Sequence, residues 1–174
     1  MSKNWRQALA NKEYTESGMS FVFDDQNVFL PEKDPCLKKL QHVKACDFVS
    51  VYRKKSRKTL LFIEAKSSAP YQTDSLKKYL YEIYSQFWHS LFFYISLVFD
   101  RHANKSADLP DVFKQKQNLK GPIMCILVVR NHKKEWLQPL QEALRKEMMG
   151  IKNVFVLQDI IVTNEQGARK YGFV

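Results

Sequence analysis

Ala45-Cys46-Asp47-Phe48-Val49-Ser50-Val51-Tyr52, followed after a basic hexapeptide by Thr59-Leu60-Leu61-Phe62-Ile63-Glu64-Ala65-Lys66, is the stretch that decides the fold of this 174-residue chain. Both apolar runs are short and rich in Val, Ile, Phe and Leu, the mark of strands rather than helices. Between them, Arg53-Lys54-Lys55-Ser56-Arg57-Lys58 is polar and charged, so the pair reads as a hairpin with a basic tip. Residues two apart in a strand share a face. Glu64 and Lys66 therefore lie on the side of Phe62, while Ile63 and Ala65 turn the other way. A carboxylate and an amine at the end of an apolar strand cost desolvation energy unless a metal, a partner charge or water compensates. Asp47, on the neighbouring strand, is the third member of such a site.

Asp47, the Glu64-Ala65-Lys66 triplet, the hairpin that carries them and the order of elements around it together resemble the PD-(D/E)xK nuclease superfamily. The likeness covers roughly residues 5–130 by order of elements, and only the hairpin by motif. It implies an α/β chain with a restriction-endonuclease-like core, a central mixed β-sheet flanked by helices in the order αβββαβ, with additions at the C-terminus. It also implies that Asp47, Glu64 and the backbone carbonyl of Ala65 hold a divalent cation, Mg²⁺ or Mn²⁺, and that Lys66 orients or polarises the attacking water. Cys46 stands where the family name has proline, a loosely kept position. Family members often bring an acid from the first helix beside the hairpin. Glu16 is the candidate here, with Glu13 as its competitor, and Gln86 is a polar residue that the long helix could add.

These residue types suit phosphodiester hydrolysis. Water must be activated and charge neutralised on the phosphate and on the leaving oxygen. A carboxylate-held divalent cation does both, and a nearby ammonium adds electrostatic stabilisation of the transition state. The expected activity is that of a Mg²⁺-dependent endonuclease acting on DNA. An RNA-cleaving relative, or a catalytically silent nucleic-acid-binding or assembly module of the same fold, are the rival readings.

The charge balance points the same way. Lys and Arg number 28 against 18 Asp and Glu, a net charge of +10, which favours a polyanionic partner. Arg53, Lys54, Lys55, Arg57 and Lys58 are the candidate phosphate contacts, beside the expected site. At 174 residues a single domain over 1–174 is expected. Cys36, Cys46 and Cys125 are scattered and lack CxxC spacing, which argues against a zinc site or a disulfide framework and suits the cytoplasm. The N-terminus has no apolar segment of the kind a signal peptide carries. The most apolar stretch, Phe87 to Phe99, is interrupted by His89 and shorter than the ~20 residues a membrane span needs. His42, His89, His102 and His132 show no metal-ligand spacing and receive no catalytic role.

Along the chain, residues 3–15 read as a helix with Trp5, Ala8 and Leu9 on one side, and Ser20 to Phe23 as a strand. A short extended piece follows at Val28 to Leu30, then a loop from Pro31 to Lys39. A helix capped by Asp74 or Ser75 runs to about residue 100. Its second half is apolar almost all round, so the C-terminal helix or a partner protein, such as a second subunit in a homodimer, is expected to cover it. Residues 101–120 read as a long polar loop bearing Lys105, Lys114, Lys116 and Lys120. Pro122 to Val129 is a strand covered on both faces. Glu135 to Met149 reads as an amphipathic helix with an irregular start at Pro139 and a stop at Gly150. Val154 to Leu157 and Ile160 to Val162 read as final strands.

Overall fold

The computed structural model describes residues 11–102 and 109–173. Its framework is a mixed five-stranded sheet ordered β3-β4-β5-β6-β7, formed by β3 (Val28–Phe29), β4 (Phe48–Lys54), β5 (Arg57–Lys66), β6 (Ile123–Val129) and β7 (Asp159–Thr163). β3, β4 and β5 pair antiparallel in that order, and β6 and β7 continue the sheet parallel to β5. β5 is therefore central. The alternation of the two apolar runs sets its register: Phe48 pairs with Ile63 and Val49 with Phe62.

One face of the sheet carries Val49, Phe62, Cys125, Leu127 and Ile160, packed against α1 (Thr73–Val98). The parallel steps from β5 to β6 and from β6 to β7 need crossovers. α1 lies in the first, and α2 (Lys134–Glu147) with α3 (Met149–Phe155) forms the second. The other face carries Phe48, Leu61, Ile63, Ala65 and Ile126. It is covered by a separate hairpin of β1 (Asn11–Glu16) and β2 (Met19–Asp24), together with Ala168 of α4 (Glu165–Ala168) and Phe173. No helix of the described residues is long and apolar enough to cross a membrane.

Several local expectations are corrected. Residues 11–15 are strand, not helix, because Met19, Phe21 and Phe23 bury on the sheet and Asn11–Glu16 takes up the free edge beside them. The rest of the expected first helix, with Trp5, lies outside the described residues. α1 starts one residue ahead of Asp74. Its cap is Gln72, and the Ser75 hydroxyl donates to the Gln72 carbonyl. α2 begins at Lys134 and runs through Pro139, whose missing N–H falls in the second turn. Gly150 does not stop the helical run, since Met149–Phe155 forms α3 and takes in the first half of the expected 154–157 strand. In the 101–120 loop, Lys105 falls outside the described residues, and Lys116–Leu119 forms a 3-10 turn.

The apolar surplus of α1 is covered in part by the chain itself. Phe155 of α3 stands edge-on to Trp88 and to Phe92, with ring centroids 6.1 and 5.7 Å apart. Phe92, Val154 and Val156 stay exposed. The outer edge of β7 is occupied by α2 side chains: Gln141 Oε1 accepts from the Val162 N–H at 2.9 Å, and Arg145 Nε donates to the Ile160 carbonyl at 3.0 Å. Such pairing blunts an edge that would otherwise template another strand.

Candidate active site

The antiparallel register runs one step past Phe48–Ile63, which sets Asp47 opposite Glu64 at the open end of the hairpin. The Asp47 carboxylate accepts a hydrogen bond from the Ala65 N–H at 2.7 Å. Lys66 Nζ lies 2.8 Å from Glu64 Oε1 and 3.5 Å from Glu82 Oε1. Asp47, Glu64 and Lys66 thus converge where β5 ends, on the face covered by α1.

Glu64 is buried, and its second oxygen, Oε2, has no hydrogen-bond partner among the described residues; the same holds for Gln86 Oε1 and the Tyr79 hydroxyl. Burial and the neighbouring Asp47 push the Glu64 pKa up to about 8, while Lys66 and Gln86 pull against the rise. Asp47 is raised to about 7, chiefly by burial, with the Ala65 bond opposing and Glu16 and Glu32 adding to the rise. Burial alone would lower the Lys66 pKa, but Glu64, Glu82 and Asp47 outweigh it, so the ammonium is held in its charged form. Two carboxylates in a dry corner with one oxygen unsatisfied form a place that accepts a positive charge.

The turn between β1 and β2 closes the corner from the opposite face. Ser17 and Gly18 both have positive φ, at 51° and 74°, the geometry of a tight two-residue hairpin turn. The Ser17 hydroxyl donates to the Ala65 carbonyl at 2.9 Å, leaving that carbonyl a second lone pair. Glu16 stands beside the pair, 3.6 Å from Lys33 Nζ, and raises the Asp47 pKa. Glu13 does not join them, since it accepts from Ser20 on the exposed side of the hairpin. A Cβ on Gly18 would come within 2.5 Å of Arg130 Nη1, so glycine lets this guanidinium lie over the turn. Arg130 follows β6 directly, and its N–H donates to the Lys66 carbonyl at 2.9 Å.

Glu82, Ser17 and Arg130 escaped the sequence reading. Glu82 had a signal: it lies one helical turn from Gln86 and from Tyr79, on the same stripe of α1. Ser17 and Arg130 had none, because their places depend on how separate segments meet. The basic tip is not beside the site. The turn is narrowed to Lys55-Ser56 at the far end of β5, about 30 Å from Lys66 at strand spacing.

Among the described residues, no cluster of three or more His, Cys, Asp or Glu is arranged to hold a metal ion. The donor set still fits Mg²⁺ or Mn²⁺: Asp47, the orphaned Glu64 oxygen and the Ala65 carbonyl are hard oxygen donors, and Mg²⁺ is commonly held by one or two carboxylates with water completing its shell. No family model, curated protein or solved structure matches the chain.

Proposed function

We propose that this chain is a metal-dependent nuclease of the PD-(D/E)xK type, acting on DNA in the cytoplasm, with Asp47, Glu64 and the Ala65 carbonyl as the cation's ligands. The observation that carries the reading is the buried Glu64 oxygen without a partner, facing the same corner as Asp47 while Lys66 holds the other oxygen. The order of elements from β3 onward supports it: three antiparallel strands, a helix, then a parallel strand. A bound Mg²⁺ would supply Lewis acidity toward the phosphate and a lowered pKa for a coordinated water.

The chain's own residues do the rest. Lys66, kept charged between Glu64 and Glu82, places an ammonium where negative charge grows on the phosphate. Ser17 and the Asp47–Ala65 bond fix the end of β5, so the carboxylates meet the substrate already oriented. Glu16 adds negative charge beside Asp47 and strengthens the demand for a cation.

Purified chain is incubated with single- and double-stranded DNA and RNA, with Mg²⁺ or with EDTA. Cutting that needs Mg²⁺ and is lost in Glu64→Ala is the expected result, and RNA as the better substrate would replace DNA in the reading. Cutting that survives EDTA or Glu64→Ala would refute it. Binding without cutting under any divalent ion would leave a silent nucleic-acid-binding module.

A further inference from the structure

At the same end of the sheet as the carboxylates, an aromatic box opens to solvent. Its walls are Tyr71, five residues beyond Lys66, and His132 and Trp136, which follow β6. The Tyr71 and His132 rings are nearly parallel, at 11° with centroids 6.3 Å apart. Trp136 stands edge-on to Tyr71 at 4.7 Å and to His132 at 5.6 Å. Together with Ala69, Pro70 and Leu76 they line a cavity of about 190 Å³.

The turn behind the box is fixed. The Asn131 N–H donates to Glu165 Oε2 at 2.8 Å, and the Asn164 side chain donates to the His132 carbonyl at 2.9 Å. Asn131 has a φ of 51°, a conformation that Asn tolerates better than most residues. The turn thereby sends Arg130 toward the Gly18 turn beside the carboxylates, and His132 into the box.

A structural clamp between the loop after β5 and α2 would use these same rings, and His132 is indeed buried at the floor of the box, 6% exposed, but a clamp alone would also bury Tyr71. Tyr71 is instead 66% exposed. Aromatic boxes also capture organic cations. Here Lys133 Nζ already lies over the Trp136 ring, 4.6 Å from its centroid, and with Arg130 and Lys134 it outnumbers the Glu135 and Glu165 carboxylates around the same turn, so a cationic guest is disfavoured. The fitting guest is a flat ring on an anionic chain.

We infer that the Tyr71–His132–Trp136 box receives an unstacked base of a single-stranded segment whose backbone passes Arg130 on its way to the carboxylate corner. This deepens the nuclease reading and rests on it for the direction of the strand. His132 lies three residues past Val129, the partner of Lys66 on the adjacent strand, hence within roughly 16 Å of Lys66, a span of about four to five stacked bases. Bases splayed from a single strand stack on aromatic side chains without regard to sequence. A paired base cannot enter the box, so the favoured substrate has an unpaired stretch beside the cut.

The test is fluorescence anisotropy in EDTA, which prevents cutting, with single-stranded and blunt double-stranded DNA of equal length. Tyr71→Ala, at an exposed position, is expected to weaken single-strand binding roughly tenfold and duplex binding far less, whereas Tyr71→Phe retains the affinity. One abasic position in the single strand should cause the same loss, and combining it with Tyr71→Ala should add nothing. A ribo-oligonucleotide of the same sequence supports the box equally, and the tighter of the two names the natural source. Unchanged single-strand affinity in Tyr71→Ala, an equal loss on duplex, or no single-strand binding by the wild type would overturn the inference. The Glu64→Ala cutting assay reads the carboxylate corner alone. A chain that never cuts but shows the Tyr71 effect would keep the box and lose the nuclease.

Discussion

The carboxylate of Asp47 accepts the backbone N–H of Ala65 across the mouth of the β4–β5 hairpin, at 2.7 Å. A side chain thus does what a strand carbonyl would do one step further along the ladder. It closes the hairpin and at the same time aims a carboxylate at Glu64. Fold and site share one bond, and substitutions can separate the two roles.

Asp47→Asn keeps an oxygen for the Ala65 N–H but removes the charge. It should fold with near wild-type stability in thermal melts, yet cut at least about a hundredfold more slowly, the order of a lost electrostatic contribution. Asp47→Ala also leaves the Ala65 N–H without its acceptor and should lose a further ~1–2 kcal/mol of stability. Equal melting of the two variants would mean that the Ala65 bond contributes nothing to the fold.

The raised pKa values of Asp47, about 7, and Glu64, about 8, fix a sign for the metal-free chain. Between the ordinary carboxylate range and these values the folded state binds more protons than the unfolded one, so their contribution to stability falls as pH rises through that window. In EDTA the chain should therefore melt lower at pH 9 than at pH 5. Glu64→Gln should flatten this dependence and melt higher than wild type at pH 9, by roughly 2–4 °C for each kcal/mol relieved. Mg²⁺ should raise the wild-type melting temperature at pH 8 and leave Glu64→Gln nearly unmoved. A wild-type chain that gains stability toward pH 9 in EDTA would contradict the burial of these two acids.

The hairpin tip and the carboxylates stand at opposite ends of β5, which turns the salt dependence of binding into a ruler. The gap of about 30 Å matches roughly nine base pairs. Neutralising Lys54, Lys55 and Arg57 should reduce the salt slope by up to ~2.7 on a duplex of about twenty base pairs. On a much shorter duplex seated at the site the slope should hardly change. An equal effect at both lengths would mean that the nucleic acid does not run along β5.

Val156 ends α3 in the left-handed region, at φ 51° and ψ 47°, and the residue is 82% exposed. A β-branched residue is strained there, and glycine is the usual occupant of this position. Val156→Gly should raise stability by about 1 kcal/mol, or roughly 2–4 °C in melting temperature. A lower melting temperature would show that the valine side chain makes a contact worth more than the strain.

The β4–β5 hairpin, the β6 strand, the long helix, and the meeting of Asp47, Glu64 and Lys66 at one end of the hairpin were all legible along the chain. These are short-range properties: a period of two or of 3.6 sorts apolar from polar residues within a few positions, and a polar residue that breaks the pattern stands out. The remaining features came from contacts between distant segments. Asn11–Glu16 is a strand because β2 offers it an edge, and its helix-like spacing carries no record of that partner. Val154 and Phe155 stay helical because Phe155 is held by Trp88 and Phe92 from far along the chain. The basic tip left the site because an extended strand separates its two ends by its full length. Ser17, Glu82 and Arg130 reached it because the β1–β2 turn, α1 and the end of β6 come together there. Such convergence depends on how whole elements cover the two faces of one sheet, and no local pattern along the chain encodes it.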